Sequence, residues 1–253
     1  MSAIFLDPIV AIPLLAILGL VFGSFGNVLM DRVTSEKSMG GRSHCMSCHR
    51  ILTPWELVPV ISFCALRGKC YQCKAQIPWE YTLIELLGGA LFVVAGMLTS
   101  YALLPALFLA LALWSMLLIG IVDARTQLIP DLLTAVLGLS ALLYHVFLGD
   151  VVWTGALLAF AFFGLQWALS RGHWVGSGDI LLGIALGLLL GPWQYVVVML
   201  MGAYIVGALL VSVLLGLGSI SRTQHIAFGP FLVVGTVISL LFGEVILRVV
   251  WPM

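Results

Sequence analysis

The chain has 253 residues, 62% of them hydrophobic and only 9% charged, and its eleven basic and eleven acidic side chains cancel. Soluble domains carry roughly 25% charged residues, so a water-soluble globular protein is excluded, and the mean hydropathy of +1.18 places the chain among polytopic membrane proteins. The net charge of zero carries no information, because in a membrane what matters is the side on which each charge sits.

A segment that crosses the hydrocarbon needs about 20 apolar residues, and eight stretches are candidates: 8–30, 81–98, 101–122, 131–148, 151–170, 179–190, 193–217 and 229–250. The sixth is short, and only Gly191-Pro192 separates it from the seventh. The first is expected to be a retained span and not a cleaved signal peptide. Its apolar stretch is too long, it lacks a basic leading region, and Asn27 and Asp31 stand where small cleavage-site residues would be. The fold expected is all-α: about eight transmembrane helices with a small polar loop domain. Residues 1–30 form the first helix, 31–80 the loop domain and 81–253 a helix bundle.

If the spans alternate, Arg32, Lys37, Arg42, Arg50, Arg67, Lys69, Lys74, Arg125, Arg171 and Arg222 fall on one side and only Arg248 on the other. The positive-inside rule makes that side cytosolic and puts both termini outside. Dropping the short sixth span would move Arg222 to the wrong face, so the charge pattern supports eight.

The polar segment 31–80 carries Cys45-Met46-Ser47-Cys48 and Cys70-Tyr71-Gln72-Cys73. Two CxxC pairs at this separation match a tetrahedral structural zinc site, each pair forming one knuckle. A cytosolic location keeps thiols reduced and argues against disulfides. The alternative is a pair of redox or metal-free hairpins. Cys64, between Phe63 and Ala65, reads as a buried small apolar residue and not a fifth ligand, and His44 and His49 flank the first knuckle as possible substitute ligands.

Gly176-Ser177-Gly178-Asp179 heads the sixth apolar run, and Asp123 ends the third. A carboxylate in such a place is expensive and is by default a candidate functional group. The topology puts both acids at the cytosolic membrane surface. Taken alone, Asp179 is explained equally well as a helix N-cap. Asp131, which follows Pro130 and opens the fourth span, is fully explained by capping.

With these parts in order the sequence resembles the bacterial type IV prepilin peptidases, the bifunctional leader peptidases and N-methyltransferases of type IV pilus and type II secretion systems. The resemblance rests on Gly23-Ser24-Phe25 with Asn27-Val28, Arg42-Ser43-His44-Cys45, Leu57-Val58-Pro59-Val60, and Leu66-Arg67-Gly68-Lys69-Cys70. It continues through Glu85-Leu86-Leu87, Asp123 with Ile129-Pro130-Asp131, the Gly176–Asp179 motif and Phe228-Gly229-Pro230-Phe231. It implies a membrane-embedded aspartic endopeptidase with Asp123 and Asp179 as its catalytic acids and Asp131 outside the pair. The partners implied are membrane lipid and pilin or pseudopilin precursors, cut after a glycine at the cytosolic face of the bacterial inner membrane. No nucleic acid partner is expected. A second activity is implied, methylation of the new N-terminus from S-adenosylmethionine.

The chemistry suits two carboxylates, one ionised to activate water and one protonated to polarise the scissile carbonyl. No metal or other cofactor is needed for proteolysis. Gly176 and Gly178 are expected to permit a sharp turn and a close substrate approach. The position two beyond Asp179 is Leu181, where many members carry lysine; Gly26 and Met46 depart from the family pattern without touching a catalytic atom.

No Rossmann-type glycine motif marks a methyl-donor site, leaving the loop domain and its junction with the first two spans. There Asn27 and Glu85 form either part of a methyl-donor pocket or an anchor for the loop, with Arg32, Arg42 or Arg67 as the partner expected for Glu85. Trp55, Trp79, Trp174 and Trp193 read as interfacial aromatics, Glu244 and Arg248 as an ion pair buried in the last span, and His145, His173 and His225 have no metal-ligand spacing. Two rival classes are an ion-coupled transporter, disfavoured by the absence of an internal repeat, and a non-catalytic pilin assembly factor.

Overall fold

The computed structural model describes residues 4–34, 40–221 and 226–250. Lys37, Arg222 and His225 lie outside the described residues. Among those described, helices account for all regular structure apart from three isolated bridges. Helix α1 is Pro8–Thr34, α2 Ile61–Ala65, α3 Trp79–Leu98, α4 Leu103–Thr126, α5 Asp131–Leu148, α6 Thr154–Ser170, α7 Ser177–Leu190, α8 Trp193–Gly216 and α9 Gly229–Val250. The eight long helices coincide with the eight apolar stretches. Six are long and apolar enough to cross a membrane. At 1.5 Å per residue, α6 reaches about 26 Å and α7 about 21 Å, both short of a hydrocarbon core of about 30 Å.

The chain forms two compact units, Met1–Trp114 and Ser115–Met253. In the first, α1 packs along α3, and Gly19 and Gly88 bring the two backbones so close that either would lose the contact to a Cβ. Phe22 sits edge-on to Trp114, whose indole N–H donates to the Phe22 carbonyl at 2.9 Å. Residues 40–78 form the loop domain, built of two similar knuckles, a 3₁₀ turn at Pro54–Leu57 and α2.

In the second unit α7 is surrounded. It packs against α5, α6, α8 and α9, and Leu182, Gly183, Ala185, Leu186, Gly187, Leu189 and Leu190 are all buried. A helix enclosed by other helices is not required to match the lipid thickness, which accounts for its length. Gly155 of α6 and Gly187 of α7 face each other in direct backbone contact. His145 links the far ends of α5 and α7 through the carbonyls of Asp150 and Leu189, at 3.1 and 3.2 Å.

Glu244 and Arg248 pair as expected at i,i+4, 2.5 Å apart, but on the outer surface of α9 and not buried in it, with side chains 69% and 78% exposed. The apolar stripe of α9 carries Phe231, Leu232, Gly235, Thr236, Ser239 and Gly243 inward, and 244 falls off that stripe.

Candidate aspartate site and cysteine cluster

Asp123 lies three residues before the end of α4 and is 4% exposed. A carboxylate buried that deeply needs a donor, and Gly229, the first residue of α9, supplies it: its N–H donates to Asp123 Oδ2 at 2.8 Å. The contact requires glycine, since a Cβ at 229 would stand 2.6 Å from the same oxygen. Pro230 follows in the first turn, where the missing N–H costs nothing. The Phe228–Phe231 stretch was part of the recognised pattern, but sequence reasoning assigned Gly229 no role, because its partner is 106 residues away.

Asp179 sits in the first turn of α7, half-buried, and its Oδ2 accepts the Gly176 N–H at 3.1 Å. Each acid is thus tied through one oxygen to one glycine N–H. The residue before Asp179, Gly178, lies against Ile129 in the segment that follows Asp123, so the two acids stand on touching segments. Asp131 is exposed and opens α5, apart from these contacts.

The two motif glycines act differently from the expected sharp turn. Gly176 has φ −74° and ψ 157°, extended backbone that any residue adopts, and Gly178 is already helical. What Gly178 provides is space: a Cβ there would be 3.1 Å from Ile129 Cβ. Ile129 belongs to the segment that follows Asp123, so this close approach seats the head of α7 on the Asp123 loop.

The first unit holds the four cysteines. All five cysteines are free, and the sulfurs of Cys45, Cys48, Cys70 and Cys73 lie within 4.8 Å of one another. Zinc–sulfur bonds of about 2.3 Å in a tetrahedron put sulfurs ~3.8 Å apart, and Cys45 and Cys73 are at 3.8 Å. The knuckles repeat one another. Cys45 N–H bonds to Arg50 O and His49 N–H to Cys45 O; Cys70 N–H bonds to Ala75 O and Lys74 N–H to Cys70 O. His49 and Lys74, each just past the second cysteine, both turn through positive φ, 56° and 61°. The first sulfur of each knuckle receives two backbone N–H groups, from Cys48 and Ser47 at Cys45 and from Cys73 and Gln72 at Cys70. Those donors favour the thiolate, lowering Cys45 and bringing Cys70 down to about 6. The donor set therefore fits a tetrathiolate metal. His44 and His49 stand outside this cluster, facing each other at 6.0 Å, and Cys64 is exposed, not buried as its apolar neighbours suggested.

Arg50 braces the cluster. It donates to Glu56 at 2.5 Å and to the Cys70 sulfur. Glu56 in turn accepts the Thr53 N–H and hydroxyl at 2.9 and 2.8 Å, capping the 3₁₀ turn. Arg50 and the two Thr53 donors hold the Glu56 carboxyl below its ordinary range.

Asn27 and Glu85, on α1 and α3, face one cavity of about 210 Å³ that the loop domain covers. Glu85 is 9% exposed, and its partners are the Val60 N–H at 2.7 Å and the Ser24 hydroxyl. None of the expected arginines pairs with it. The loop instead presents a backbone donor by a strained device: Val60 has φ 61° and ψ −49°, and the Ile61 N–H reaches back to the Pro59 carbonyl at 2.5 Å. That is a γ-turn of the rare hand, on a β-branched residue.

The molecule so described is a polytopic α-helical membrane protein carrying an aspartate pair, one buried and one half-buried, in one unit and a tetracysteine cluster in the other. Residues 17–99 match the bacterial peptidase A24 N-terminal domain, and residues 109–212 match the type IV leader peptidase family. The chain belongs to that family. It is 33% identical over 215 residues to the "Prepilin leader peptidase/N-methyltransferase" of Legionella pneumophila, covering 82% of this chain and 74% of that protein. To the protein of the same name from Aeromonas hydrophila it is 35% identical over 218 residues, 82% and 73% of the two chains. To that from Bacillus subtilis it is 32% identical over 244 residues, 92% and 95%. No solved structure matches the chain.

Proposed function

We propose that this protein is a membrane-embedded aspartic endopeptidase that removes the leader from type IV prepilins or related pseudopilins and then N-methylates the new terminus. The observation that carries the peptidase reading is the pair itself: two carboxylates, from the end of α4 and the head of α7, on segments that touch at Gly178 and Ile129, each fixed by a single glycine N–H. Fixing one oxygen of each acid leaves the other oxygen to act on water and on the scissile carbonyl. Neighbouring acids share one proton, so the ionised member takes a proton from water and later gives it to the leaving amine, while the protonated member donates toward the carbonyl oxygen and regains that proton as the tetrahedral intermediate collapses. Asp123 and Asp179 are the catalytic residues in this reading, and Gly176 and Gly178 shape the head of α7 where the substrate chain passes.

The loop segment 31–80 works as a separate domain, with zinc held by Cys45, Cys48, Cys70 and Cys73 as a brace. The charge distribution supports cytosolic loops and a site at the cytosolic face of the inner membrane. The methyl donor is S-adenosylmethionine, which supplies a methyl group on a sulfonium centre. The cavity beneath the loop domain fits such a cation: Asp31 and Glu85 are among its lining residues, Glu56 there is already paired with Arg50, and among the described residues no lysine or arginine lines it.

The test is cleavage of a pilin-like precursor by purified protein, with Asp123→Asn and Asp179→Asn beside the wild type, followed by mass analysis of the product's N-terminus in the presence of S-adenosylmethionine. Loss of cutting in both variants and a methyl-sized mass gain in the wild type are expected. Cutting that survives either substitution removes that aspartate from the mechanism, and a wild type that binds precursors without cutting them is an assembly factor.

A further inference from the structure

The cavity of the first unit contains two unmet demands. Asn27 is 93% buried, its amide nitrogen donates to the Tyr81 carbonyl at 2.9 Å, and its Oδ1 has no donor. Because the Tyr81 carbonyl only accepts, the amide cannot flip to relieve the oxygen. An orphaned buried acceptor costs roughly 1–3 kcal/mol. On the facing helix, Glu85 is buried with two neutral donors and no cation, although buried carboxylates are ordinarily paired with a positive charge. The missing partner common to both is a group that has several N–H donors and a positive charge.

We infer that the cavity between α1, α3 and the loop domain binds a primary ammonium, with Asn27 Oδ1 and Glu85 as its two acceptors. The strained turn at Val60 belongs to this site, since it aims one N–H at Glu85, which with the Ser24 hydroxyl leaves the carboxylate two neutral donors and acceptor capacity for the ligand. Phe63, Leu66, Ile77 and Val28 give the cavity an apolar wall for the carbon skeleton attached to the ammonium. At about 210 Å³ the space holds an amino-acid-sized group, smaller than the roughly 300–1,000 Å³ of a site that encloses a whole drug-sized molecule. On the methyl-transfer reading above, on which this inference rests for the ligand's source, two molecules carry such a group: the amino-acid end of the methyl donor, and the free N-terminus of the processed chain.

The experiment uses zinc-loaded full-length protein in detergent. Calorimetric titrations follow S-adenosylhomocysteine, which keeps the donor's ammonium without a transferable methyl, and a short peptide beginning with Phe, with its N-acetylated form as the uncharged control. Glu85→Gln and Asn27→Leu are each expected to weaken binding of one of these ammonium ligands at least tenfold while precursor cleavage stays within twofold of wild type, which also reports that the variants fold. Weakening confined to S-adenosylhomocysteine assigns the cavity to the donor, and weakening confined to the free peptide, with the acetylated peptide not binding, assigns it to the product amine. Unchanged affinity for both ligands in both variants overturns the inference. Methyl transfer by the wild type, read in parallel by mass, separates that failure from failure of the methyltransferase reading. Should Asn27→Leu lose cleavage as well, Asn27→Gln, which keeps both the amide donor and the acceptor oxygen, is expected to restore both readouts, and its failure to restore binding would count against Asn27.

Discussion

The Gly229 N–H donates to Asp123 Oδ2 at 2.8 Å, and a methyl group on Gly229 would meet that same oxygen at 2.6 Å. The carboxylate therefore owes its position to a residue without a side chain at the head of another helix. Gly229→Ala is expected to displace the Asp123 carboxylate while leaving the helical fold in place. Displacements of about 1 Å cost catalysis on the order of 100-fold. Cleavage rates under saturating precursor, with circular dichroism to check the fold, read this out, and a rate within threefold of wild type would show that Asp123 does not depend on this contact.

The two motif glycines are expected to differ. Gly176 is in an extended conformation, and a Cβ there would make only ordinary contact, 3.4 Å from Asp179 Oδ2. A Cβ on Gly178 would press on Ile129 at 3.1 Å. Gly178→Ala should therefore lower cleavage about tenfold or more, in keeping with small misplacements of a catalytic group, and Gly176→Ala much less. Pairing Gly178→Ala with Ile129→Val should recover part of the loss, since the clash involves that side chain; absence of any recovery would place the defect elsewhere.

The cysteine cluster predicts one zinc per chain, measured by elemental analysis, and cobalt substitution should give the absorption of a tetrathiolate site. Cys45→Ser and Cys70→Ser should each abolish stoichiometric metal and expose 40–77 to protease, because a structural site with three thiolates loses much of its folding energy. Stoichiometric zinc in either variant would contradict a four-sulfur site.

The Arg50–Glu56 pair predicts a pH dependence in the loop domain. Glu56 is held below its ordinary value of 4.5 by the Arg50 hydrogen bond first and the Thr53 donors second. A carboxyl depressed on folding stabilises the folded state above its unfolded value, and that contribution is lost as pH falls through the folded one. Protease resistance of the loop domain should therefore fall between pH 4.5 and lower values in the wild type. Glu56→Gln should be less resistant at neutral pH and flatter over that acid window. Parallel profiles for the two proteins would remove Glu56 as the titrating group.

The cysteine cluster, the helical spans and the pair of acids were legible in the chain because each rests on a local pattern: a CxxC spacing, an apolar run of about 20 residues, a charge at the end of such a run. Glu244 with Arg248 was legible for the same reason, and its exposure was not, because which stripe of a helix faces inward depends on the neighbouring helices. The expected arginine partner for Glu85 failed similarly. Charge complementarity named three candidates, and the folded loop satisfied the acid with a backbone N–H and a hydroxyl instead.

By itself the sequence determined the class of protein, the order of its long apolar helices and the four cysteines that cluster, since hydrophobic length and CxxC spacing are properties of contiguous segments. Only the tertiary structure decided that α7 is enclosed and so can be short, that Gly229 holds Asp123, that Gly178 makes room for Ile129 and not for a turn, and that Asn27 keeps an unanswered oxygen inside a cavity. Each of these depends on how separate helices meet, as Asp123 and Gly229 do across 106 residues, or on what is missing around one atom, and local pattern carries no record of either.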